Sequence, residues 1–130
     1  MTVRVTGEDS HGAEIVGVYL VLDEIIYNLL DNAIKYNRRG GEAEINVTQT
    51  PQFVKIVVSD NGIGIPNESI DRIFERFYRV DKSHSRKIGG TGLGLSIVKH
   101  GVSMHNGTVS VKSVEGNGTE ITVIFPKGKR

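Results

Sequence analysis

Asn28-Leu-Leu-Asp-Asn32-Ala-Ile-Lys35-Tyr36 forms the second half of a segment, residues 20–37, in which apolar side chains recur at helical spacing. Leu22, Ile25, Ile26, Leu29, Leu30, Ala33 and Ile34 make one broad face, the pattern of an amphipathic helix. With Asn28 set at zero on a helical wheel, Asn32 falls near ~40 degrees, Lys35 near ~−20, Glu24 near ~−40 and Asp31 near ~−60. The apolar side chains centre near ~150 degrees, so the polar stripe is expected to face away from the core. Arg38 and Arg39 place positive charge where a helix C-terminus favours it, and Gly40-Gly41 stops the helix.

Outward from this helix the period changes to two. Residues 44–48 and 53–59 alternate or run apolar with β-branched side chains, and Pro51-Gln52 between them predicts a hairpin. Residues 108–114 and 119–125 alternate around Gly116-Asn117-Gly118 and predict a second hairpin. A further helix is expected over residues 91–105, with Leu95, Val98 and Val102 on one face and Asn106-Gly107 as its stop. Shorter signals predict strands at residues 3–5 and 15–18 and a polar turn at 7–12. They also predict a short helix at 69–74, with Phe74 and Phe77 as apolar anchors. Residues 79–90 have the polar, glycine-ended composition of a mobile loop. The expected fold is α+β, a two-layer α/β sandwich whose mixed, mostly antiparallel sheet is covered on one face by about three helices. The 130 residues suit one domain, with its core over about residues 15–126.

Bulk properties narrow the function classes. Net charge is +1, so no strong field favours nucleic acid or an anionic membrane surface. The chain has no cysteine, which excludes a disulfide framework and a thiolate metal site and fits a reducing compartment. No apolar run approaches the ~18 residues that span a bilayer, and no signal peptide opens the chain. The fragment is therefore expected to be soluble, without direct membrane contact, although a parent protein could be anchored elsewhere. The basic end, residues 127–130, reads as a solvated tail.

Three places carry candidate chemistry, and each has a plainer reading. The stripe with Asn28 and Asn32 could be a solvated face. Yet Asn costs a helix roughly half a kcal/mol against Ala, and Lys or Glu would serve a plain surface better. Amide oxygens are hard, neutral ligands able to complete a Mg²⁺ shell already charged by phosphates, and Lys35 can meet a phosphate oxygen. Asp60-Asn61-Gly62-Ile63-Gly64-Ile65-Pro66 could be a simple turn. A carboxylate after a buried strand can also accept from an exocyclic amine such as adenine N6 and repel the oxygen guanine carries there. Gly62 and Gly64 would let backbone approach a flat ring. Gly89-Gly90-Thr91-Gly92-Leu93-Gly94-Leu95-Ser96 could be a hinge, or it could place free N–H groups of a helix start around an anion. It lacks the Lys of a Walker loop and the spacing of a dinucleotide fingerprint.

Together and in this order, the motifs resemble the catalytic, ATP-binding domain of sensor histidine kinases, in the superfamily that also holds gyrase, Hsp90 and MutL ATPases. The similarity runs over residues 20–126. Asn28 to Tyr36 resembles the N box and Asp60-Asn-Gly-Ile-Gly64 the G1 box. Phe74-Glu-Arg-Phe77-Tyr-Arg79-Val resembles the F box, and Gly90-Thr-Gly92-Leu-Gly94-Leu the G2 box. Gly116-Asn-Gly118-Thr119 resembles the last glycine turn. The resemblance implies ATP held between the N-box helix and a lid over residues 79–90. It implies Mg²⁺ ligation by Asn28 or Asn32, above all Asn32, and phosphate or ribose contacts from Lys35 and Tyr36. Asp60 would read adenine, with Gly62, Gly64 and Ile65 beside the ring and Thr119 in support. Gly90, Thr91, Gly92, Leu93, Gly94 and Leu95 would surround the nucleotide, and Arg79 would stabilise charge on the transferring γ-phosphoryl group.

One position separates the branches of that superfamily. Its hydrolysing ATPases and serine kinases carry Glu four residues before the N-box Asn. Here the residue is Asn28, whose amide cannot take a proton at neutral pH, and Glu24 lies a turn further back. The F box also favours the histidine kinases. Those enzymes phosphorylate a His followed by Glu or Asp on a dimerisation helix, and His11, His84, His100 and His105 are followed by Gly, Ser, Gly and Asn. The expected function is therefore donation of a γ-phosphoryl group to a separate dimerisation and phosphoacceptor domain. A response regulator would act downstream, and the fragment itself would be monomeric. The domain would lie in the cytoplasm, its parent in the bacterial cell membrane. An ATP-binding switch without transfer, or an ATPase or serine kinase, is the alternative. Gly101, inside the second helix, is unexplained by any of these motifs.

Overall fold

The computed structural model describes residues 2–6, 19–37, 40–76 and 94–127, with backbone alone at 2–6 and at Tyr19. The predicted strand at 15–18, the turn at 7–12, Phe77 and the loop at 79–90 lie outside them. The described elements run β1 (Thr2–Thr6), α1 (Tyr19–Lys35), β2 (Glu42–Gln49), β3 (Phe53–Asp60), a 3-10 helix (Asn67–Arg72), α2 (Gly94–Met104), β4 (Thr108–Val114) and β5 (Gly118–Pro126). The strands form one sheet in the order β1-β2-β3-β5-β4. β1 pairs parallel with β2, and every other pair is antiparallel, which gives the mixed, mostly antiparallel sheet expected.

Period-two alternation sends Val54, Ile56 and Val58 of β3 to the same side as Ile121, Val123 and Phe125 of β5, all buried. Register then builds rows across the sheet, such as Ile45, Val58, Ile121 and Val111. Onto this face α1 lays Ile25, Leu29 and Ala33, and α2 lays Val98 and Val102. Each fully buried Ile, Leu or Val contributes about 1.5–3 kcal/mol, well above the propensity cost of two Asn residues in α1. Burial, not helix propensity, therefore holds α1. The β2–β3 hairpin is fixed locally: the backbone N–H groups of Gln52 and Phe53 donate to Thr50 Oγ1, at 3.2 and 3.1 Å.

Gly101 has a packing role. It is buried on α2 against α1, where an added Cβ would sit 2.9 Å from both Ile25 Cδ1 and Val21 Cγ1. Glycine there costs up to about 1 kcal/mol of helix propensity and permits the close approach of the two helices.

Four expectations change. Ile34 is 45% exposed and joins Leu20 and Tyr27 on the outer side of α1, because Ile25, Leu29 and Ala33 already fill a narrower buried face. The short helix is a 3-10 turn of Asn67–Arg72, opened by the extended Pro66 and the Ser69 N–H to Pro66 O bond of 2.9 Å. Ile73 is its buried apolar anchor, while Phe74 is half-buried. Lys127 does not trail into solvent: its N–H donates to Gln52 O and its Nζ to Gln49 Oε1, each at 2.8 Å.

Candidate functional site

The helix-facing rows of the sheet end in a polar row. Asp60 continues the alternation of Val54, Ile56 and Val58, and it stands opposite Thr119 of β5, which in turn stands opposite Ser113 of β4. Three polar side chains thus cap an apolar core at one end of the sheet. Asp60 is half-buried, and burial raises its pKa above the ordinary 3.8. The backbone N–H groups of Gly62 and Thr119 donate to the carboxylate and pull the other way, though not enough to cancel the desolvation. The Gly62 bond is 2.8 Å long, to Oδ1.

The loop after Asp60 is fastened to three elements. At the end of α1, Tyr36 O accepts from Ile63 N–H at 3.1 Å. At the start of β2, Asn61 Oδ1 accepts from Glu42 N–H at 2.7 Å, and Glu42 O accepts from Asn61 N–H and from Asn37 Nδ2. At the β4–β5 turn, Ile63 O accepts from Gly116 N–H at 2.7 Å and Ser113 Oγ from Ile65 N–H at 2.8 Å. Gly64 has φ +73° and its backbone lies on the Val114 carbonyl, so a side chain there meets both a steric block and a left-handed backbone. Gly62 is buried, while Ile65 is half-buried.

On α1, Asn28 donates from Nδ2 to its own helix, at Glu24 O, 2.8 Å away. That bond requires the NH₂ end of the amide, so the orientation is set chemically and Oδ1 is left as a carbonyl acceptor. Oδ1 faces Gly94, the first residue of α2: a Cβ on Gly94 would lie 3.1 Å from it. The asparagine helix and the glycine-rich helix start therefore meet at Asn28. Asn28 and Asn32 are both half-buried and stand apart from the buried face of Ile25, Leu29 and Ala33, on the side of α1 turned away from the core. At Asn28 the neighbour is the start of α2. Lys35 Nζ pairs with Asp31 Oδ2 at 3.1 Å, and Tyr36 caps the helix with its N–H on Asn32 O.

Leu95 packs partly against the core, and Thr119 is 9% exposed. Arg79, Gly90, Thr91, Gly92 and Leu93 lie outside the described residues, as do His11 and His84. His100 is exposed, and the His105 ring meets Gly101 O through Nδ1 at 2.7 Å and the edge of Phe125 at 6.0 Å. Ser113 was missed by the motif reading. Its signal was a polar residue in the inward phase of β4, after Val109 and Val111.

Residues 17–129 match the family described as histidine kinase-, DNA gyrase B-, and HSP90-like ATPase. The chain is 48% identical over 107 residues to the sensor protein kinase WalK of Staphylococcus aureus, a match covering 81% of this chain and 26% of that protein. Against other WalK sequences of that species the share is 18%, so the chain spans about a quarter or less of these curated relatives. Among solved structures, a mycobacterial sensor histidine kinase, MprB, superposes with TM-score 0.83 at 32% identity, covering 96% of this chain and 82% of that one. Full-length ShkA in complex with AMPPNP superposes with TM-score 0.75 at 26% identity, covering 98% of this chain and 27% of that one.

Proposed function

The chain belongs to the histidine kinase-, DNA gyrase B- and HSP90-like ATPase family, as the catalytic ATP-binding domain of a sensor histidine kinase, and on that premise we propose that it holds Mg·ATP and donates the γ-phosphoryl group to a histidine of a separate dimerisation domain. The adenine lies at the polar row, with Asp60 accepting from N6 and Thr119 beside it. The phosphates run toward Asn28, Asn32 and Lys35 and the glycine-rich helix start from Gly90 to Gly94. Bound magnesium would offset phosphate charge there, with Asn28 Oδ1 and the Asn32 amide as its protein ligands. Lys35 exchanges Asp31 for a phosphate oxygen, and Arg79 meets charge developing on the γ-phosphoryl group.

Asn28 carries the transfer reading. Its NH₂ is committed to Glu24 O and its other end is a carbonyl oxygen, so the side chain cannot act as a base toward water. Glu24, the nearby carboxylate of α1, has an exposed side chain. A histidine acceptor is itself nucleophilic: its ring nitrogen forms the new N–P bond, the bond from the γ-phosphorus to the β–γ bridging oxygen breaks, and ADP leaves. In the whole kinase, which would sit in a bacterial cell membrane with this domain in the cytoplasm, a response regulator would take the phosphoryl group onward.

The test mixes this chain with a dimerisation segment bearing a His-Glu or His-Asp acceptor and ATP labelled at the γ-phosphate. Acid-labile label on the acceptor histidine is expected, and Asn32→Ala should lose most of it together with Mg·ATP affinity. Tight ATP binding with no label on the acceptor would replace transfer by a switch function. Rapid hydrolysis by the chain alone would restore the ATPase reading.

A further inference from the structure

The polar row contains a hydrogen-bond chain whose direction is determined. Ser113 Oγ lies 2.8 Å from Gly118 O, 2.9 Å from Thr119 Oγ1 and 2.8 Å from Ile65 N. A carbonyl can only accept, so the single hydroxyl hydrogen of Ser113 is committed to Gly118 O. Ile65 N–H can only donate, so it fills one acceptor site of Ser113 Oγ. For the remaining contact to be a hydrogen bond, the Thr119 hydroxyl must supply the hydrogen. Thr119 Oγ1 is thereby left as an acceptor only. Beside it lies the Asp60 carboxylate, which in its ionised form also only accepts, with part of its roughly four acceptor sites filled by the Gly62 and Thr119 N–H groups.

We infer that Ser113 is a specificity-determining, positioning residue: by taking the Thr119 hydroxyl hydrogen, it leaves the polar row able only to accept, which selects a 6-aminopurine nucleotide over a 6-oxopurine. This rests on the adenine-site reading above. Any ring group set against Thr119 Oγ1 and Asp60 must bring its own hydrogens. An exocyclic amine does so, whereas a keto oxygen brings lone pairs against two acceptors. A 6-oxopurine also has a ring N–H, but its carbonyl oxygen stands next to that N–H and still meets the carboxylate. Without Ser113 Oγ, the Thr119 hydroxyl can turn and donate to a keto oxygen. Sites built from fixed polar partners discriminate by large factors because the wrong ligand leaves those partners unpaired. Removing the constraint on one of the two acceptors should therefore cost much of the selectivity.

The experiment measures Kd for ATP and for ITP with the full chain, its Ser113→Ala, Ser113→Thr and Thr119→Val variants, and the double variant. The wild type should prefer ATP. Ser113→Ala should narrow the ATP/ITP ratio about tenfold, and Ser113→Thr should restore it. Thr119→Val should narrow the ratio as well, with Ser113→Ala adding nothing on top, because both act through one hydroxyl. Equal weakening of ATP and ITP by Ser113→Ala would overturn the inference and reduce Ser113 to a loop fastener, as would an unchanged ratio. If Ser113→Ala does not fold, Ser113→Val, which also lacks the oxygen and suits a strand, takes its place with the same outcomes expected. A wild-type chain with no preference between ATP and ITP would instead sink the adenine-site reading itself, so the two failures are distinguishable.

Discussion

At the residue scale, Asp60 shows a site working against the stability of its own fold. Its pKa is raised by burial, so the folded state binds this proton more tightly than the unfolded state. The stability it contributes is fully present below the unfolded value of 3.8 and is lost as pH rises through the raised folded value. Once ionised the carboxylate is therefore a cost, one that the proposed adenine contact would require because only the ionised form is a pure acceptor. Asp60→Asn removes the titration. Urea midpoints of the wild type and this variant should diverge in the variant's favour as pH rises above 3.8 and through the raised folded value. The same slope in both proteins would show that Asp60 is not the group responsible. The variant should meanwhile bind ATP at least about tenfold more weakly, because its NH₂ end cannot accept.

At the element scale, the contact between α1 and α2 both builds the core and sets the site. Gly101 brings α2 against Val21 and Ile25, and the same packing puts Gly94 at Asn28 Oδ1. Gly101→Val should push the helices apart and destabilise the chain by about 1–3 kcal/mol, the usual range for overpacking. Ile25→Val removes the Cδ1 that the new side chain meets. Alone it should cost about 0.5–1.5 kcal/mol, but in the Gly101→Val background it should recover stability. Denaturant unfolding of the four proteins gives the cycle, and strict additivity would contradict the contact. Nucleotide affinity should fall with Gly101→Val, because Gly94 moves with α2.

At the scale of the whole molecule, the proposed site is shared among α1, β3, the loop after Asp60, the β4–β5 turn and the start of α2. A ligand bound by all of them must stabilise the fold as a unit. At a hundredfold excess over Kd the gain is about 2.7 kcal/mol, which for a domain of this size is roughly 10 °C in Tm. Differential scanning of the chain with Mg·ATP should show that shift, and Asn32→Ala and Asp60→Asn should each remove most of it. No shift at saturating nucleotide would count against a site spread over these elements.

The linear order of residues determined a good deal of this. The helical period of Leu22, Ile25 and Leu29 and the period-two runs of β2 to β5 specify elements, because burial on one face depends only on local geometry. The Asn28–Asn32, Asp60–Gly64 and Gly90–Gly94 clusters stand as candidates in the sequence because each is contiguous or one helical turn apart, and Asn28 stands there where the ATPases carry Glu. Three things came only with tertiary structure. Ser113 joined the site through its register with Thr119, and no local pattern encodes which residue faces which across a sheet. Gly101 found its purpose in Val21 and Ile25, some eighty residues earlier in the chain. Asn28 met Gly94 through the packing of α2 beside α1, because a helical wheel describes one helix and cannot include the second helix that packs beside it.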